Sequence, residues 1–270
     1  MKKNRILPTI LITLVSIYLI LPLLLTGAYS FFSRWIGILP EHFTSEYYQA
    51  LFADSDFWPS IVRGLVICIP SILLPLTCVL LALYVAVIYN DRLEKVIRLF
   101  CMIPKSLQGV ILAISLLSLY AGSNGPLGNR IVMLIAAYAV IILPIVFNTV
   151  RNSMYSVNIR QLIEAAEILG TSKFYAFIRI VLPCMRSGLL IASLTSMTII
   201  FGDFAIVKII ASGQWRTAMM FLYKSRSYQG QLQSAIILII FVIILIISFS
   251  ALALQNNNKT REVPDQTEEK

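Results

Sequence analysis

The stretch EAAEILGTSKFYAFIRIVLP, Glu164 to Pro183, decides how the rest of the chain is read. It strings charged residues, a glycine and a proline through a sequence that is otherwise mostly apolar. From just upstream, apolar side chains at Ile159, Leu162, Ile163, Ala166 and Leu169 recur at helical spacing, and Arg160, Gln161, Glu164 and Glu167 take the opposite face. Asn158 followed three residues later by Gln161 predicts a helix start, and Gly170 predicts its end in a left-handed conformation. Thr171 or Ser172 then caps a second helix whose apolar stripe is Phe174, Phe177, Ile178 and Val181. Pro183 stops or bends that helix. Helical periodicity alone leaves two uses open. The pair can lie in the headgroups with Lys173, Arg179 and Arg186 on anionic lipid, or it can seat one face in a groove of a soluble partner.

Around this stretch the solvent is lipid. The 270 residues are 58% hydrophobic and 13% charged, with a mean hydropathy of +0.83, whereas soluble domains carry about 25% charged residues. The net charge of +9 comes from 22 Lys and Arg against 13 Asp and Glu. These basic residues sit in short loops between apolar runs, which points to membrane orientation and not to nucleic acid. A spanning helix needs about 20 apolar residues. Six segments qualify, at about 6–31, 62–89, 106–121, 131–150, 187–207 and 233–254, the third being short unless it continues back through Pro104. The run from Ile6 to Thr26 exceeds the apolar core of about 7 to 15 residues in a secretory signal, so it reads as a spanning helix and not a cleaved leader. Pro22, Pro70, Pro75 and Pro144 predict kinks that neighbouring helices absorb.

Lys and Arg gather at the N-terminus (Lys2, Lys3, Arg5), near 90–105, near 151–186 and in the tail. With six spans these all fall on one side, which makes both termini cytoplasmic. The last outer loop breaks the pattern with Lys208, Arg216, Lys224 and Arg226. The fold class expected is an all-α integral membrane protein. A first helix and outer loop occupy 1–56, the membrane core occupies 57–254, and a disordered tail follows at 255–270.

Other chemistries find little support. Cys68, Cys78, Cys101 and Cys184 have no CxxC spacing and read as small hydrophobes. His42 is the one histidine and has no ligand partner near it in sequence, so no metal site is expected. Without clustered carboxylates or Cys/His sets there are no catalytic candidates, and without GxxxxGK[ST] any nucleotide chemistry belongs to another chain. An ATP-independent transporter or channel needs intramembrane charge rings or ion-binding broken helices; Asp203 is the only central-span ionisable candidate. On an ideal helix Ser193, Ser196, Ile200 and Asp203 share roughly 80° of arc, which makes them translocation-pathway candidates. A carboxylate within a span is usually functional, although Asp203 near the outer end can also simply reach water.

The spacing narrows the choice. Glu164-Ala165-Ala166, three residues, Gly170, nine residues, Ile180, one residue and Leu182-Pro183 fill every fixed position of the EAA motif of permease subunits of binding-protein-dependent ABC importers. The chain resembles that family from about Phe57 to Leu254. The resemblance implies a type I importer permease fold with six spans in a bacterial inner membrane. It implies that the EAA loop is a coupling helix inserted in a groove on a dimer of ATP-binding subunits, whose closure turns the membrane helices outward. It also implies a second permease subunit, a different chain in the related subclass, an extracytoplasmic solute-binding protein, and a fifth span along the solute path. No cofactor is implied on this chain, because ATP is used by the partner. Physically, Ala165 and Ala166 keep the helix slim, Glu164 offers a carboxylate to a basic residue, Gly170 allows the turn, and Leu182-Pro183 sets the angle to the fifth span. The segment GDFAIVKIIASGQWRTAMMFLYKS, 202–225, loosely resembles permeases for polyamines, 2-aminoethylphosphonate and ferric iron. Asp203 suits an ammonium group. The basic residues of the last outer loop suit an anion, an acidic rim on the binding protein, or anchoring in headgroups.

Overall fold

The computed structural model describes residues 6–34, 41–211, 213–225 and 230–259. Lys2, Lys3, Arg5, Arg226 and the tail beyond Lys259 lie outside them. Lipid offers no partner to backbone N–H and C=O groups, so long apolar runs close their hydrogen bonds internally as helices. Four do so in single pieces: α1 (Ile6–Tyr29), α3 (Phe57–Tyr89), α6 (Arg130–Ser156) and α13 (Gly230–Lys259). Each contains a stretch long and apolar enough to cross a bilayer. Pro22, Pro70, Pro75 and Pro144 are all held inside these helices without interrupting them. α13 runs on through Lys259, so its last residues are helical where a tail was expected.

The third and fifth expected spans are not straight. α5 (Gly109–Tyr120) has 12 residues, about 18 Å of helix against a hydrocarbon core of about 30 Å. It follows α4 (Asp91–Met102) and a 3₁₀ turn (Ile103–Ser106), and the stretch Arg92–Ser106 is bent 95° from α5. The fifth apolar segment ends early. α10 (Arg186–Phe201) stops at Gly202, and a short α11 (Ala205–Ala211) follows where a continuous span to 207 was expected. Lys173–Cys184 meets α10 at 68°. The described helices therefore provide four straight candidate spans, or up to six if each bent pair counts as one.

The chain divides into two compact units, one of Met1–Pro59 with Phe221–Ile243 and one of Ser60–Met220 with Ile244–Lys270. In the first, α1 exposes Leu11, Ile12, Leu14 and Val15 and the apolar residues that follow, a surface that suits lipid. Beyond α1 an antiparallel hairpin, β1 (Phe32–Arg34) with β2 (Glu41–Phe43), pairs Phe32 with Phe43, and α2 (Glu46–Ala53) follows. Phe31 stacks on Phe43 at 5.7 Å and on Tyr48 at 4.9 Å, and the hydroxyls of Ser30 and Tyr48 are 2.6 Å apart. His42, exposed as expected, sits in β2 with a positive φ of 52°.

The second unit is built around α6, which buries Met133, Leu134, Ala137, Ile142, Val146, Phe147 and Val150. α10 lies along α6, and α5 and α11 close on each other and on α6. Gly188 allows the first of these approaches, since a Cβ there would fall on Oγ and Cβ of Ser153. Cys68 and Cys101 are buried and Cys78 and Cys184 exposed, all four unpaired.

Candidate coupling site and translocation path

Between α6 and α10 lies the Glu164–Pro183 stretch, folded as α7 (Ile159–Ile168), α8 (Lys173–Ala176), a π turn (Phe177–Val181) and α9 (Leu182–Cys184). Helix, turn and helix form as the periodicity predicts, with differences of detail. Asn158 does not cap α7 with its side chain. It adopts φ 49°, ψ 53° in the short link between α6 and α7, whereas a side-chain cap goes with an extended backbone. Asparagine tolerates that left-handed conformation better than most residues. Gly170 is left-handed as predicted, at φ 82°. Its N–H bonds Glu167 O at 2.9 Å and the Thr171 N–H bonds Ala166 O at 3.0 Å, the paired bonds of a Schellman ending. Thr171 Oγ1 reinforces this by donating to Ala166 O at 2.6 Å. That leaves Ser172 as the cap of the second helix, accepting from Tyr175 N at 3.4 Å.

Ile159, Ile163 and Ala166 pack inward, while Glu164, Ala165 and Glu167 are exposed. Leu169 departs from its predicted stripe. The turn returns the chain to Ala166, so Ile168 and Leu169 project past the packed face at 86% and 83% exposure. The second helix also rotates away from its predicted stripe. Phe177 and Val181 are buried with Ala176 and Met185, whereas Phe174 and Ile178 are exposed. Pro183 cannot donate to the carbonyl four residues back, and the turn ahead of it opens to the wider π form, which shifts the buried face. Tyr84 of α3 receives Phe177 at 4.7 Å and the edge of Phe174 at 5.8 Å. Ile180 and Leu182 are half-buried and Pro183 is exposed. Glu164 and Glu167 border an open cleft of about 320 Å³ with Val87 and Asn90 at the end of α3 and with Arg160 and Lys173. Arg160 Nε donates to Val87 O at 3.3 Å, and Lys173 pairs with Glu167 at 3.4 Å.

The pathway candidates separate. Ser193 Oγ donates to Leu189 O at 2.9 Å. Ser196 is wholly buried, and its hydroxyl has no partner among the described residues. Asp203 does not share their helical arc, because α10 has ended before it. Its carboxylate accepts from the Ile206 N–H at 3.0 Å, at the start of α11, and from the Tyr138 hydroxyl at 3.0 Å. Tyr138 gives no signal in the sequence, where a tyrosine in an apolar run looks like core. At the same end of this unit Lys208 Nζ lies 5.3 Å from the Phe204 ring, Arg130 Nη1 reaches Ile210 O at 3.5 Å, and Trp215 Nε1 donates to Arg63 O at 3.1 Å.

Apolar spans joined to one polar helix-turn-helix are the build of a multi-pass membrane protein with a folded platform outside the apolar spans. Residues 78–262 match the family described as "Binding-protein-dependent transport system inner membrane component", and the chain belongs to that family. It is a multi-pass transport component and not an enzyme. It is 23% identical over 210 residues to the "Putative 2-aminoethylphosphonate transport system permease protein PhnV" of Salmonella typhimurium, covering 77% of each chain. The Salmonella typhi protein of the same name is also 23% identical, covering 77% of this chain and 78% of that one. Among solved structures, a bacterial ABC transporter importing the acidic polysaccharide alginate superposes with a TM-score of 0.69 at 16% identity, over 93% of this chain and 94% of that one. The alginate transporter in complex with a periplasmic protein holding an alginate pentasaccharide gives 0.67 at 18% identity, over 91% and 90%. The inward-facing methionine transporter MetNI gives 0.60 at 16%, over 79% and 99%. The fold is that of ABC importer permeases.

Proposed function

We propose that this chain forms half of the translocation path of an ATP-driven importer and takes its motion from a separate ATP-binding subunit through Glu164–Pro183. The observation that carries this reading is the exposed edge of α7. Glu164 borders an open cleft and Ile168 and Leu169 are bare, on a platform whose other face is packed within the same unit as α6 and α10. Two exposed large apolar side chains beside carboxylates fit a protein groove better than water. On this reading the bent pairs each count as one span, giving six, with both termini in the cytoplasm of a bacterial inner membrane. The chain binds no cofactor; ATP is bound and hydrolysed by the partner dimer. A second permease, a different chain, completes the path, and an extracytoplasmic binding protein supplies the solute. Glu164→Arg leaves membrane insertion intact and abolishes solute-dependent ATP hydrolysis in the reconstituted complex. Normal coupling in that variant would remove the docking role.

The solute is a small amino-bearing anion of the aminoalkylphosphonate kind and not a polyamine. The name carried by the Salmonella relatives supports this, as does the outer end of the second unit. The sequence carries Arg63, Arg130, Lys208 and Arg216 there, and the Asp203 carboxylate is already bonded by Tyr138 and Ile206. The buried, unpaired hydroxyl of Ser196 supports a place on the path, because such a group costs about 1–3 kcal/mol until something bonds it. Retention by the importer's solute-binding protein separates the solute classes, since both carry an ammonium group that Asp203 could meet. An aminoalkylphosphonate is retained and a polyamine is not; retention of the polyamine alone would overturn the assignment.

A further inference from the structure

α4 buries one carboxylate and leaves several apolar side chains bare, while its basic residues Arg92, Lys95 and Arg98 stay exposed. Val96, Leu99 and Phe100 are 49%, 66% and 65% exposed, while Glu94 is 8% exposed. A carboxylate persists in such a place only when its charge is paired and its oxygens are bonded. Both conditions are met from α6. Arg151 Nε donates to Glu94 Oε1, the Tyr155 hydroxyl donates to Oε2, and the Arg151 guanidinium lies 4.7 Å from the Tyr155 ring centroid. Arg151 and Tyr155 stand within about two turns of Asn158, where α6 gives way to α7. Arg160, on the first turn of α7, makes a second tie to the end of α3 through Val87 O at 3.3 Å. An ion pair of this kind adds little net stability over apolar residues of the same size, and the best-attested use of such a buried pair is to set the register between helices.

We propose that Glu94 is a positioning residue for the coupling step. It clamps α4 to the end of α6, so that a displacement of the α7–α9 platform carries α4 and the α5 that follows it. The two loops then move as one body. This rests on the coupling role of Glu164–Pro183, and the test separates the two.

Spin labels introduced as unnatural amino acids at Lys95 and Gln161, both exposed, report the α4–α7 separation. The full-length chain is used, assembled with its ATP-binding subunit and its second permease, before and after trapping with ATP and vanadate. The wild-type complex gives one narrow separation that trapping leaves unchanged. Glu94→Gln keeps the shape but leaves Arg151 without its counter-charge. It broadens the distribution, shifts it on trapping, and loses the stimulation of ATP hydrolysis by solute-loaded binding protein. The exchanged pair Glu94→Arg with Arg151→Glu narrows the separation again and restores stimulation, which a merely space-filling role would not do. Where Glu94→Gln fails to accumulate, Tyr155→Phe, which removes one bond of the clamp, must still broaden the separation. A separation as narrow as wild type in these variants, within a complex that hydrolyses ATP, overturns the clamp and leaves the coupling reading standing. A wild-type chain that neither assembles with nor responds to an ATP-binding subunit overturns the coupling reading, and the clamp with it.

Discussion

Gly170 stands at φ 82° with nothing within 4 Å of the place a Cβ would occupy. Replacement there is therefore a matter of backbone strain and not of space. Gly170→Ala should cost about 1–2 kcal/mol, the penalty of a left-handed L-residue, and Gly170→Asn less. Thermal unfolding of the purified full chain checks this; equal midpoints for glycine, alanine and asparagine would contradict it. This conformation is legible in the sequence because a glycine after an amphipathic helix has one common local use. That of Asn158 is not, since asparagine both caps helices and tolerates positive φ. Which of these it does depends on how α6 hands over to α7, a tertiary matter. Glu94 is hidden for a similar reason. Its partners lie 57 and 61 residues away, and a glutamate among Arg92, Lys95 and Arg98 reads as part of a solvated loop.

Among the helices, α10 approaches α6 through Gly188, where a Cβ would fall on the side chain of Ser153. Gly188→Ala should destabilise the chain by about 1–3 kcal/mol through overpacking. Adding Ser153→Gly removes the obstructing atoms and should restore most of the loss. Unfolding midpoints of the single and double variants decide the point, and simple additivity would count against the contact. The straight helices α1, α3, α6 and α13 are readable as apolar runs because hydropathy reports what lipid accepts. Bends escape that measure. Leu107 and Gln108 separate α4 and its 3₁₀ turn from α5, and Gly202 with Asp203 ends α10; each break is only a few residues long, so apolar neighbours on both sides carry the hydropathy across it. The second helix of the platform shows the same limit. An ideal period places Phe174, Phe177, Ile178 and Val181 inside; the π turn before Pro183 keeps Phe177 and Val181 there and puts Ala176 and Met185 in place of Phe174 and Ile178.

For the whole molecule, the residues from Glu164 to Pro183 point to the family by their spacing alone, because that spacing constrains a site and not merely a helix. Composition could not choose between lipid and a protein partner for that platform. The exposed side chains at its tip favour protein, since Ile168 and Leu169 extend beyond the packed face while Ile159 and Ile163 are satisfied within it. On the proposed function, coupling depends on this tip seating in an ATP-binding subunit. A photo-crosslinking amino acid at Leu169, introduced in the full-length chain in living cells, puts that contact to the test. The expected product is a covalent adduct that mass spectrometry identifies as an ATP-binding cassette protein, and that disappears on Glu164→Arg. Adducts with lipid alone, or an ATP-binding adduct unchanged by Glu164→Arg, would refute the coupling role.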